Sequence, residues 1–180
     1  MAFTKDIRAL TISNLQEIRN IDKLIQQLKD LEQKQVYTKE YVEREISTLK
    51  EERSRIVREG KEKVTQMADD YRARIREEFM PKPEDITADG ALFTSGIILT
   101  ESQLETLADR YADNMTMTQL IFDHAESRGI HLHRQRATEK ARTSIADNML
   151  HYYSSAMQRP DFPEWESEEY FENLTGGAED

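Results

Sequence analysis

The side chains that could carry chemistry are few, and the chain has no cysteine. Thiolate nucleophiles, disulfides and Cys-ligated metals are therefore excluded. His131 and His133 in the stretch IHLHR offer two imidazoles to a cation. A structural zinc takes four ligands and a catalytic one usually three, and no Glu-x-x-His run supplies the remainder. These histidines, with His124 and His151, read as surface or capping groups. Asp109 and Asp113 are four apart, which on a helix places them on one face in the manner of paired catalytic carboxylates. No cleft-forming pattern accompanies them, so solvation explains them better. Glycine-rich phosphate loops and a G-x-S-x-G elbow are missing, and the one Gly pair is Gly176-Gly177. No catalytic residue, cofactor site or metal site is expected, and the chain reads as a non-enzyme.

The elements that carry these residues read as helices. Residues 5–78 contain no proline and a single glycine, Gly60. Asn14, Ile18, Ile21, Ile25 and Leu28 follow the alternating four-three spacing of a coiled-coil seam, with Leu24 and Leu31 widening the stripe. Val42, Ile46, Leu49 and Ile56 begin a second series, which passes to Val57, Val64 and Tyr71 with Met67 and Ile75 beside them. Between the two, QKQVYTKEYVERE interrupts the rhythm and Thr38 suits an N-cap, so a helical hairpin of 5–34 and 39–78 is expected. A continuous rod pairing in parallel is the alternative. At 1.5 Å per residue the two hairpin helices span roughly 45 and 60 Å, which leaves an overhang holding Val64, Met67, Tyr71 and Ile75. Those four, with Ile18, Ile21, Ile25 and Leu28, are the expected self-association residues of a homo-oligomer. Arg53, Arg55, Arg58, Lys61 and Lys63 alternate with Glu51, Glu52, Glu59 and Glu62. Such a face is laced with ion pairs and lacks the unopposed charge that nucleic-acid binding requires.

Pro81 and Pro83 end the second helix, giving a division into a helical hairpin or coiled coil (1–80), a linker (81–99), a small helical bundle (100–159) and an acidic aromatic tail (160–180). The fold class is all-α. The linker EDITADGALFTSGIIL is apolar enough to pack as an ordered connector or a short hairpin. Thr100 and Gln103 make a capping box for a helix burying Leu104, Leu107, Ala108 and Tyr111. Thr116 and Gln119 suggest a second box, for a helix stopped by Gly129; a third helix runs over 135–157 to Pro160. Met115, Met117, Met149 and Met157 suit core filling, or an adaptable partner surface.

Charge is concentrated at the end of the sequence. Residues 1–80 carry 17 basic and 16 acidic groups, 81–160 carry 8 and 11, and 161–180 carry 0 and 8. Within DFPEWESEEYFENL, Ser167 can cap a helix over 168–174 that gathers Tyr170, Phe171 and Leu174 on one side. Phe162, Trp165, Tyr170, Phe171 and Leu174 are the expected partner-binding residues. The competing expectation is that the segment packs on the chain's own bundle.

No window approaches the roughly 18 apolar residues of a membrane span, and the first residues carry no leader pattern, so a cytoplasmic protein without membrane contact is expected. The layout of an amphipathic start with YTKEYVEREI, a proline break, and SGIILTESQLETLADRYADNMTMTQLIFDHAESRGI resembles small helical proteins encoded among the head-assembly genes of phages of Gram-positive bacteria. The likeness covers about residues 5–130. It implies a virion-assembly component, such as a scaffold, a capsid-associated protein or an assembly chaperone. The partner implied is a capsid or portal subunit, met in the host cytoplasm or in the virion. Many phage scaffolds dock through a basic end, whereas this end is acidic. An acidic inhibitor or regulator that occupies the basic cleft of a host or nucleic-acid-binding enzyme is the second functional reading.

Overall fold

A computed structural model describes residues 3–175, and their regular structure is helical throughout, with no strand among the described residues. The order is α1 (Phe3–Gln33), α2 (Lys39–Phe79), 3₁₀ turns at Pro83–Asp85 and Ala88–Gly90, α3 (Ala91–Thr94), α4 (Glu101–Arg110), α5 (Met115–Ser127), α6 (Glu139–Gln158), a 3₁₀ turn at Pro163–Glu166, and α7 (Glu168–Thr175).

The long N-terminal helices form a hairpin. Phe3 stacks on Tyr71 with ring centroids 4.3 Å apart, and Arg53 Nε reaches Asp22 Oδ1 at 3.1 Å, which fixes the antiparallel register. The turn is closed by a left-handed residue, Gln35, at φ 56°. The Val36 amide donates back to Leu31 O at 3.0 Å and that of Gln35 to Glu32 O at 2.9 Å, a Schellman ending built without glycine. Thr38 then accepts the Tyr41 amide as the sequence leads one to expect.

Two compact units divide the chain inside α2 and α6, not at the prolines. One takes the chain up to Tyr71 and again from Ser144; the other is Arg72–Thr143. In the first, α6 lies on the hairpin as a third helix. Ile7, Leu15, Ile18, Val42, Val64, Met149, Tyr152 and Tyr153 are its fully buried large side chains. The three helices meet at Gly60, where a Cβ would stand 1.9 Å from Tyr153 Oη and 2.3 Å from Asn14 Nδ2. Asn14 Nδ2 donates to Tyr153 Oη at 3.0 Å, and Tyr153 Oη donates to Val57 O at 3.3 Å. The Asn14 amide nitrogen and the Tyr153 hydroxyl brought into this crossing therefore each have a partner, as burial demands. Burial raises the pKa of the Tyr153 phenol, and the Asn14 hydrogen bond offsets part of that shift.

This packing corrects the expected self-association surface. Ile18, Ile21, Ile25, Val64 and Tyr71 are buried in the chain's own core, Ile75 is also buried, and Leu28 and Met67 are half-buried. α1 begins at Phe3, so α2 remains paired as far as Tyr71 and no overhang holds Val64, Met67 or Tyr71. The apolar surplus that suggested a second copy is largely buried within the chain itself.

In the second unit, Leu99, Leu104, Leu107, Ala108, Ile121 and Ala125 form the core, with Leu92, Phe93, Tyr111, Ile130 and Leu132 packed against it. Residues 81–99 are thus part of a folded unit, with helical turns and no β-hairpin. The Thr100 capping box is present in both directions. The second box is not: Asn114 caps α5 by accepting the Met117 amide at 2.9 Å, leaving Thr116 inside the helix, where its hydroxyl accepts the Lys82 amide at 3.0 Å. Asn114 lies one residue before the helix and can reach its N3 amide, which settles the competition. Gly129, at φ 68°, ends α5, and the Ile130 amide returns to Ala125 O at 2.9 Å. α6 starts at Glu139 rather than Gln135, with Thr138 Oγ1 accepting the Ala141 amide at 3.2 Å.

Candidate interaction surface

The terminal segment folds onto the first unit as a strap. Pro160 is buried just beyond α6, and Arg19 Nε donates to its carbonyl at 2.7 Å. The Trp165 indole N–H donates to Arg159 O at 2.8 Å, and Tyr152 Oη donates to Trp165 O at 2.6 Å. Ser167 caps α7 through the Tyr170 amide, as its position suggests. Trp165 and Phe171 pack edge-on against Tyr152 at 5.9 and 5.7 Å. Burial pushes the Tyr152 pKa up to about 12, against a smaller opposing effect of Arg8.

Of the expected partner-binding residues, then, Trp165 and Phe171 are core, Tyr170 and Leu174 are half-buried, and Phe162 alone is exposed, at 37%. The reason is electrostatic as well as hydrophobic. Arg8 pairs with Glu168 at 2.9 Å and lies over the Phe171 ring at 5.1 Å, while Arg19 pairs with Glu166. Two arginines on α1, separated by three helical turns, thus receive two of the segment's carboxylates. Their charge balance was submerged in the near-neutral total of the N-terminal helices.

From Leu24 round to Leu49 the hairpin buries only Ile25 and Val42. Among the described residues, no hydrogen bond joins 24–49 to anything outside the hairpin. Leu24 is 48% exposed and Val36 57%; Tyr37 and Tyr41 are also exposed, their rings 5.0 Å apart. Leu28, Leu31, Ile46 and Leu49 are half-buried beside them.

The residues that could serve catalysis stay apart. α4 ends at Arg110, so Asp113 sits in the following turn and shares no helix face with Asp109, which instead faces Arg134 at 3.4 Å. His131 and His133 are exposed, with His133 3.7 Å from Glu101. His124 is buried against Phe93; burial and then Arg128 lower its pKa, and its Nε2 has no hydrogen-bond partner. His151 Nε2 lies 3.4 Å from Ser155 Oγ on an exposed face, longer than the roughly 2.6–3.2 Å of a nucleophile and its base. No group of three or more His, Asp or Glu able to hold a metal ion occurs among the described residues. No described helix is long and apolar enough to cross a membrane. Met117, Met149 and Met157 are core, and Met115 is half-buried.

Comparison with known protein families, with curated proteins and with solved structures finds no match to this chain.

Proposed function

We propose that the chain is a non-enzymatic assembly protein that associates with copies of itself through the free part of its hairpin and docks a protein partner through its C-terminal part. The observation that carries this reading is the exposure of Leu24, Val36, Tyr37 and Tyr41 on a stretch, 24–49, where only Ile25 and Val42 are buried. Exposed apolar side chains that adjoin, as Val36, Tyr37 and Tyr41 do at the turn, mark association sites. The occupant is a second copy, because residues 23–52 carry six basic and seven acidic groups, so two such tips meet with little net repulsion. In a virion-assembly setting, which the layout of the sequence suggests, this describes a scaffold, a capsid-associated protein or an assembly chaperone, and the partner is a capsid or portal subunit. The acidic-inhibitor reading draws less support, since Arg8 and Arg19 already occupy two of the carboxylates it needs.

Sedimentation velocity on the full chain, with and without the paired substitution Leu24→Glu and Tyr37→Ser, tests the association. The expected result is a concentration-dependent oligomer that the variant converts to monomer with its helical melt unchanged. A monomeric wild type at high micromolar concentration refutes the reading.

A further inference from the structure

We infer that the groove between the end of α6 and the terminal strap receives a lysine or arginine side chain from a basic segment of a partner protein. This deepens the docking half of the proposed function and uses a surface separate from the hairpin tip, so either can fail alone. The cavity holds about 380 Å³, and its aromatic wall is Phe162, Trp165 and Tyr170, with Gln158, Arg159 and Glu164 at the rim. Phe162 and Tyr170 flank Trp165 edge-on, at 5.2 and 5.5 Å between centroids. Ring faces carry the negative side of the aromatic quadrupole and attract a cation; Trp165 is 5% exposed, so Phe162 and the half-buried Tyr170 supply the accessible aromatic surface. The volume lies near the lower end of ligand pockets, roughly 300–1,000 Å³, enough for one long side chain and its flanking backbone.

Charge selects the sign of the occupant. Glu164 lines the groove, and Asp161, Glu169 and Glu172 are exposed on the same short segment, none of the four with an ion-pair partner among the described residues. Arg159 is the one opposing cation on the lining; Arg8 and Arg19 are engaged by Glu168 and Glu166. The wall is preformed, since the hydrogen bonds from Trp165 to Arg159 O and from Tyr152 to Trp165 O hold it without a ligand. Phe162 packs on the fixed indole yet stays 37% exposed, and a cation with an aliphatic stem would cover that exposed part.

Trp165 is the only tryptophan of the chain, so its fluorescence reports this groove directly. The probe is a capped Gly-Ser octapeptide bearing two arginines, titrated into the full-length protein beside the same peptide with norleucine in their place. The arginine peptide should give a saturable change that weakens as salt is raised. Phe162→Ala should weaken it about tenfold with an unchanged melting temperature, Glu164→Gln should weaken it severalfold, and Arg159→Gln should tighten it. The inference is overturned if no saturable change occurs, if the norleucine peptide binds equally well, or if Arg159→Gln weakens binding. Should Phe162→Ala lower the melting temperature, Glu164→Gln and Arg159→Gln, both at the rim, still decide by their opposite signs. Self-association measured on the same samples should be unaffected by all three substitutions.

Discussion

Replacing Gly60 with alanine sets two well-calibrated effects against each other. By helix propensity alone, alanine inside α2 should stabilise the protein by about 1 kcal/mol over glycine. The added methyl, however, would lie 1.9 Å from Tyr153 Oη, 2.3 Å from Asn14 Nδ2 and 2.7 Å from Tyr153 Cζ. The Asn14 amide can turn aside, but the Tyr153 ring is 1% exposed and held on all sides. Relief therefore requires α6 to shift away from α2 or the Asn14–Tyr153 bond to part. Overpacking costs about 1–3 kcal/mol and separation of a buried hydrogen-bonded pair another 1–3. Against the propensity gain, the expected net loss is about 3 kcal/mol. Urea unfolding followed by circular dichroism measures it, as a lower midpoint at constant slope. The cycle with Tyr153→Phe locates the cause: deleting the hydroxyl removes the shortest contact, so the double variant should be more stable than the two single losses predict, by at least about 1 kcal/mol. A stabilised Gly60→Ala, or an additive cycle, refutes the close three-helix crossing.

Two further outcomes follow from the turn and the strap. Gln35→Gly should raise stability by about 0.5–1 kcal/mol, because the left-handed φ of 56° strains any residue with a Cβ and glycine's extra unfolded-state freedom offsets only part of that strain; the urea midpoint reads it. Tyr152, with its pKa raised by burial to about 12 from 10.0, favours the fold while it is protonated. Its contribution is fully present below pH 10 and is lost as pH rises from 10 to 12, about 2–3 kcal/mol at roughly 1.4 per pH unit. The stability of the wild type should therefore fall more steeply over that interval than that of Tyr152→Phe, with Tyr153 adding a loss of the same direction in both.

The helical class, the hairpin, the Thr100 box, the Gly129 ending and the Ser167 cap could be read in the sequence because each rests on residues within a turn or two of one another. What escaped it depends on distant pairs. Nothing local tells that Tyr153 belongs beside Asn14, or that Arg8 and Arg19 face Glu168 and Glu166. For that reason the sequence alone puts α6 in a separate bundle and leaves the seam residues in want of a second copy. One available signal was Gly60. A lone glycine in a long helix of strong formers is costly unless another backbone or ring must come close, and here Tyr153 does. The tail aromatics were equally ambiguous, since a tryptophan among carboxylates serves a core or a partner alike until its neighbours are known.

The insertion of Arg72–Thr143 between the two parts of the first unit has a consequence for synthesis. A ribosome adding about 5–20 residues per second takes roughly 4–14 s to make that insertion, and throughout it the finished hairpin has neither α6 nor α7 to cover its Gly60 face. Neighbouring ribosomes on one message hold several such hairpins close together. The third helix released by one chain can then close on the hairpin of another, with the same Gly60 crossing and the same arginine pairs as in the correct monomer. Fast, crowded translation should accordingly yield exchanged dimers that dilution does not undo, whereas refolding of the completed chain at low concentration should not.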